Sequence, residues 1–363
     1  MARRRKWEQF LTALTCRVEV PVQGGWDDLQ LRPQPLPGLD LDEVCTGTVF
    51  LGHPLRYPVM IAALTGGHPS LEVVNLRLGR LAARFGLAVS VGSQRAQLAE
   101  PGLARTYQAA RRGAPGTLVV SNIGAPQLVD QADRPALHLD ELRMLCDSLR
   151  AGALAIHLNF VQEALQPHGN PRGRGCLEAI ARVAKDLGRP VVVKETGAGL
   201  TQEAARSLQQ ARVAALETSG AGGASMAVLE GLGARHRRDP RAHVATAFYG
   251  WGVPAPASLI EVREAVSIPV IAGGGIRNGV DAVRALAAGA QLVSVGLPLL
   301  RLAARGQEEL DAWMGAFLEQ LKIAMFLVGA GSLEELANAR PLAITGWTRE
   351  YLQAVGVQVR PGR

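Results

Sequence analysis

From residue 58 onward, short apolar, β-branched runs alternate with stretches of helical periodicity. The runs are 58–64 (PVMIAAL), 88–92 (AVSVG), 117–123 (TLVVSNI), 153–158 (ALAIHL), 190–194 (PVVVK), 214–218 (AALET), 269–273 (PVIAG) and 291–296 (QLVSVG). They are apolar at consecutive rather than alternate positions, the mark of parallel strands covered on both faces. Between them, 70–85, 177–187, 201–211 and 280–288 carry helical spacing. Eight such units over about 240 residues match an α/β fold of the (β/α)₈ TIM-barrel type. The segment 243–248 (HVATAF) competes as a ninth strand and is assigned to an excursion before a helix at 255–266. A doubly wound open sheet shares this periodicity. Closure is favoured because polar residues collect at the strand ends, where barrel enzymes gather their catalytic groups.

The expected organisation is a leader over 1–57 that caps the barrel and contributes substrate contacts, a barrel over 58–304, and a helical extension over 305–363. One long apolar-faced helix is expected at 309–328. Hydrophobic residues at 48% and charged residues at 20% supply a core and exclude disorder, and aromatics at 4% argue against a base-stacking surface. The formal charge of +7 comes almost wholly from arginine, since the lysines are Lys6, Lys185, Lys194 and Lys322. That balance suits an anionic ligand, while no nucleic-acid motif is present. Cys16, Cys45, Cys146 and Cys176 form no metal or disulfide spacing. The basic start is followed by Glu8, Gln9 and Thr12, which interrupt a signal-peptide core, and no run is apolar enough to span a bilayer. A soluble cytoplasmic protein is expected.

The strongest chemical signal is Gly273-Gly-Gly-Ile-Arg-Asn-Gly279 after the seventh run, with Gly296-Leu297 after the eighth. Loops at these positions bind phosphate through backbone N–H groups and a helix N-terminus, and glycine lets the backbone come close. Lys194 ends the fifth run, where a lysine stabilises ligand charge, forms a Schiff base, or pairs with Glu195 at the rim. His157 and Asn159 end the fourth run, on one side of it by period-two alternation, with Gln162 and Glu163 one helical turn beyond. Glu163 is a candidate hard-oxygen ligand for Mg²⁺. Ser93-Gln94-Arg95 offers a second anion contact, and Asn122 and Ser219 complete a polar ring suited to a planar heteroaromatic.

In order along the chain, these motifs resemble the type 2, FMN-dependent isopentenyl-diphosphate isomerases. The resemblance runs through Leu64-Thr-Gly-Gly67, Gly92-Ser-Gln-Arg-Ala-Gln-Leu98, Asn122-Ile-Gly124, His157-Leu-Asn159, Gln162-Glu163 and Lys194-Glu-Thr-Gly197. It continues through Ser219-Gly-Ala-Gly-Gly223, Trp251-Gly-Val-Pro254, Gly274-Gly-Ile-Arg277 and Ala324-Met-Phe-Leu327. It implies FMN contacts from Thr65, Gly66, Ser93, Asn122, Lys194, Ser219, Gly274, Gly275, Arg277, Gly296 and Leu297. It implies substrate contacts from Arg5, Lys6, Arg95, His157, Asn159 and Gln162, catalytic roles for Gln162, His157 and Lys194, and Mg²⁺ on Glu163.

The implied reaction is redox-neutral: reduced FMN protonates the alkene of isopentenyl diphosphate and a different proton is lost, giving dimethylallyl diphosphate. NAD(P)H serves only to prime the flavin, and a tetramer or octamer is implied. Three departures stand out. Gln9 replaces the family's histidine after Arg5-Lys6, Pro167-His-Gly-Asn170 replaces Pro-Glu-Gly-Asp, and Leu64 replaces Met. The first two change charge on the substrate side and motivate a second expectation, a paralogue that protonates a longer prenyl chain to isomerise or cyclise it. Net oxidation of a hydroxy acid is a third, disfavoured because the last histidine, His243, precedes the seventh strand.

Overall fold

The computed structural model describes residues 2–19, 21–132 and 134–358. All eight apolar runs form strands: β1 (Val59–Ile61), β2 (Ala88–Ser90), β3 (Val119–Gly124), β4 (Ala153–Leu158), β5 (Val191–Glu195), β6 (Ala215–Glu217), β7 (Val270–Ala272) and β8 (Leu292–Val295). Each pairs in parallel with its sequence neighbour, and β8 pairs with β1 to close the cylinder. The excursion at 243–248 is helical, Arg241–Thr246, ahead of the helix Ala255–Ala265, so no ninth strand competes for the sheet.

The barrel interior is narrow, and its lower layers are filled by Met60, Ala88, Val120, Ala153, Ala155, Val192, Ala215, Ile271 and Leu292. Small residues at many of these positions let the cylinder close without voids. Register then fixes the layer above them. Gly124 pairs with His157, His157 with Lys194, and Lys194 with Glu217, so four consecutive strands present one row at the C-terminal rim.

Helices α1 (Ala2–Thr15), α2 (Glu72–Phe85), α3 (Ala104–Gly113), α4 (Phe160–Leu165), α5 (Met226–His236) and α6 (Gln307–Leu327) define the surroundings of that rim and one flank. Residues from α1, the barrel helices and α6 share one apolar core. The strand Leu29–Leu31 pairs antiparallel with Leu342–Ile344, so the two ends of the chain meet. Trp26 donates its indole N–H to the Gly274 carbonyl at 2.8 Å, which ties the N-terminal segment to the loop after β7.

α2 and α3 cross where each has a glycine. A Cβ on Gly79 would lie 2.2 Å from the Ala110 carbonyl oxygen, and one on Gly113 2.5 Å from that of Leu76. Backbone on both sides cannot rotate away, so the helices must separate to admit a methyl group. Gly79→Ala is therefore expected to destabilise the fold by about 1–3 kcal/mol through overpacking, read as a lower denaturation midpoint, whereas Gly102→Ala, with open space around it, should leave it unmoved.

Candidate active site

One cavity opens at the C-terminal rim and receives residues from all eight strands or the loops that follow them, as well as Lys6, Gln9, Phe10 and Ala13 from α1. Lys6, Thr65, Ser93, Asn122, His157, Gln162, Lys194, Ser219, Gly274, Gly275, Arg277, Gly296 and Leu297 all line it. Arg5, Gly66, Arg95, Asn159 and Glu163 do not.

Gly66 is a packing glycine. Its φ is +146°, and a Cβ would sit 2.1 Å from the ring of Tyr107, which is fully buried and donates its hydroxyl to the Ser93 carbonyl at 2.7 Å. Gly66 thus shapes the loop that presents Thr65, with the Tyr107 ring filling the space a side chain would need. Asn159 departs from the strand alternation because β4 ends at Leu158 and the backbone turns there into α4. Its amide N–H₂ is directed to Glu163 Oε1 at 3.1 Å and to Gln162 Oε1 at 3.4 Å.

Glu163 is buried, and its Oε2 accepts from Gln166 Nε2 and from the Asn170 backbone N–H. Asn159 Oδ1, buried beside it, has no hydrogen-bond partner. One carboxylate and an unsatisfied amide oxygen are a donor set that Mg²⁺ accepts, the rest of its shell coming from phosphate oxygens and water. Among the described residues no group of three His, Cys, Asp or Glu gathers to hold a metal by protein ligands alone.

His157 is buried, and its Nδ1 meets Asn122 Oδ1 at 2.8 Å. Asn122 uses its own N–H₂ on the Val91 carbonyl at 3.0 Å, so its oxygen faces the ring and Nδ1 is the donor. Burial, with Lys194 and Lys6 adding positive charge nearby, holds the imidazole down to a pKa of about 3. At neutral pH His157 is therefore an uncharged ring with Nε2 unprotonated. Charge for an anionic substrate falls instead to α1 and the loop after β2. Lys6 is brought down to about 8 by burial and by Arg5, with Arg95 adding to the effect and Glu163 and Glu230 opposing it. Three mutually repelling cations in one corner are stabilised by a polyanion.

Lys194 does not pair with the Glu195 carboxylate. That carboxylate turns into its own loop and accepts N–H groups from Gly197, Ala198 and Gly199. Lys194 Nζ donates to the Glu195 carbonyl at 2.6 Å, an oxygen that also accepts the Ser219 hydroxyl at 2.7 Å, and lies 3.7 Å from Glu217 Oε1. Ser219 has φ +53°, an unusual backbone for a residue with a side chain. Gly274 and Gly275 follow with φ of +81° and +78°, the left-handed turn that suits glycine and curls the backbone around an anion. Arg277 is ion-paired with Glu19 of the N-terminal segment. Ser294 Oγ on β8 is buried in the cavity wall with no partner, a polar atom left for a ligand. Neutral polar groups around the wall, the glycine turn after β7 and Lys194 on β5 fit FMN.

Three acids of the site were not singled out from sequence. Glu217 is the charged member of an otherwise apolar strand, and Glu230 is the single acid of the apolar helix α5. Both were visible as exceptions to pattern. Glu230 Oε1 accepts from Gln9 Nε2 and from Gln162 Nε2, each at 2.8 Å, so the glutamine standing in place of a histidine ties α1 across to α5 and α4. Glu19 is exceptional only through its partner. His243, by contrast, is exposed on the helix Arg241–Thr246 and away from the cavity.

The model of a family described as FMN-dependent dehydrogenase matches residues 22–341. Proteins named isopentenyl-diphosphate delta-isomerase are similar over nearly the whole length. That of Methanothermobacter thermautotrophicus is 38% identical, covering 98% of this chain and 97% of its own. That of Methanosarcina mazei is 40% identical over 98% and 96%, and that of Pyrococcus abyssi 38% over 96% and 94%. Among solved structures, a mandelate oxidase variant with a monooxide FMN adduct superposes with a TM-score of 0.60 at 20% identity, over 93% of this chain and 91% of its own. A lactate oxidase from Pediococcus acidilactici gives 0.62 at 20% identity, over 86% and 82%; these two likenesses concern the fold. By sequence, the chain belongs to the isopentenyl-diphosphate delta-isomerases within the FMN-dependent dehydrogenase family.

Proposed function

We propose that this protein interconverts isopentenyl and dimethylallyl diphosphate without net redox change, using FMN and Mg²⁺, with NAD(P)H or another reductant needed only to prime the flavin. The observation that carries this reading is one cavity that takes in both the glycine turn after β7 and Lys6 of α1, with the charges of Arg5 and Arg95 acting on Lys6 from outside its wall. Both regions of the wall suit anionic groups. When bound and reduced, FMN supplies an acid–base centre able to exchange a proton with an alkene carbon.

The chain's own residues do the rest. Lys6, with Arg5 and Arg95 nearby, would hold the diphosphate, and Glu163 and Asn159 Oδ1 would be the oxygen donors to Mg²⁺, which would offset negative charge on the substrate. His157 stays neutral, and Gln162 is oriented by the Glu230 oxygen that takes its N–H₂. Phe10, Ala13, Met226 and Leu229 line the same cavity and keep water from a carbocation. Gly274, Gly275, Gly296 and Leu297 receive the flavin phosphate, with Arg277 beside them. Among the described residues no helix is long and apolar enough to cross a membrane, and the reading places the protein in the cytoplasm as a homo-oligomer.

With photoreduced holoenzyme and isopentenyl diphosphate, dimethylallyl diphosphate is expected to form while the flavin absorbance returns unchanged; bound reduced flavin with no allylic product would overturn the assignment. The pH dependence follows from Lys6. Below about 8 it is protonated in the free protein and attracts the diphosphate, and above that value the charge is lost. KM should therefore rise as pH passes through about 8 with kcat moving less, and Lys6→Met should raise KM at neutral pH and flatten that profile. Glu163→Gln should raise the Mg²⁺ concentration for half-maximal activity by about tenfold or more, and an unaltered metal titration would remove Glu163 from that role.

A further inference from the structure

We infer that Glu217 tunes the flavin site by setting a compensating negative charge against Lys194, so that the wall beneath the cofactor is close to neutral instead of cationic. Lys194 and Glu217 are register partners on β5 and β6, and their charged atoms lie 3.7 Å apart. Both side chains are nine-tenths or more buried, and both line the cavity. A Cβ on Gly273 would stand 3.5 Å from Glu217 Oε1, so the carboxylate lies against the start of the glycine turn.

A role in stability alone accounts poorly for this pair. Burying two charges costs as much desolvation as their attraction returns, and apolar residues of similar size hold a barrel together as well. The layer directly below is built in that way, from Ala155, Val192 and Ala215. The pair occurs only at the height where the wall meets a ligand. Around it, His157 is held neutral and Ser219 and Asn122 are uncharged, which leaves Glu217 as the negative group facing Lys194 from a neighbouring strand. The Glu195 carboxylate beside it is spent on three backbone N–H groups.

The consequence rests on the proposed flavin site and takes Lys194, one of the FMN contacts expected from the sequence, to lie at the pyrimidine edge of the ring. A lone lysine there favours the negative charge that reduction places on that edge. A carboxylate behind it takes part of that stabilisation back. Reduction is still supported, yet the reduced ring is not so stabilised that it loses basicity, the compromise that repeated proton exchange requires. Glu217 is thus a tuning residue and has no step of its own.

The test is the reduction midpoint of FMN bound to the holoprotein at fixed pH, measured for the wild type, Lys194→Met and Glu217→Gln. Lys194→Met should lower the midpoint. Glu217→Gln should raise it, with reduced FMN gaining about tenfold in affinity over oxidised FMN, or about 30 mV for a two-electron couple. A midpoint that falls in Glu217→Gln would make Glu217 a mere support for Lys194 and overturn the proposal. So would an unchanged midpoint alongside a lowered one in Lys194→Met, which leaves the placement of Lys194 standing. If Lys194→Met itself changes nothing, that placement fails and takes the proposal with it. Should Glu217→Gln not retain flavin, Glu217→Asp draws the charge back toward β6 and should raise the midpoint by a smaller amount; a fall or no change there overturns the proposal equally.

Discussion

The site is organised by hydrogen-bond register between parallel strands. Because a one-residue slip would turn each side chain to the opposite face, the polar residue that ends one apolar run is held at the height of its neighbour's. Gly124, His157, Lys194 and Glu217 form such a row across β3 to β6. Each member depends on the next. A Cβ on Gly124 would lie 2.3 Å from Gln127 Oε1 and 3.0 Å from His157 Nε2, His157 loses its charge to burial and then to Lys194, and Lys194 faces Glu217. Closure of β8 on β1 brings the buried Ser294 and the loops at Thr65 and Gly296 into the same cavity wall.

The charge distribution separates two tasks that would conflict if mixed. Deep in the cavity, lysine and glutamate offset one another beside a neutral imidazole. Toward α1, burial depresses Lys6 and the neighbouring charges of Arg5 and Arg95 add to it, a configuration that an incoming polyanion relieves. The N-terminal segment belongs to the site as much as the barrel does, since Gln9 reaches Glu230, Glu19 reaches Arg277, and Trp26 holds the glycine turn by its carbonyl. By this reading the changed residue at position 9 is accommodated: an amide keeps the link to α5 that the carboxylate needs, while adding no charge to the cationic corner.

Much of this was legible along the chain. The eight strands were readable because a strand buried on both faces has to be apolar at every position, and the glycine turn because a backbone that curls through left-handed φ twice in succession suits no other residue. Lys194 stood out as a charge ending a valine run. Where local pattern misled, the cause lay in a neighbour distant in sequence. Gly66 reads as a loop glycine, and the need for it comes from the ring of Tyr107, 41 positions away. Asn159 continues the alternation on paper, and the turn into α4 cancels it.

Sequence by itself determined the parallel barrel, the rim where the polar strand ends collect and the glycine turn after the seventh strand, because each follows from hydrophobic periodicity or backbone conformation within a few residues. Tertiary structure alone decided which charges meet. The partners Lys194 and Glu217, Gln9 and Glu230, and Glu19 and Arg277 lie 23, 221 and 258 positions apart. Whether a carboxylate pairs with a lysine, an amide or its own loop depends on burial and strand register, and these exist only once the barrel has closed.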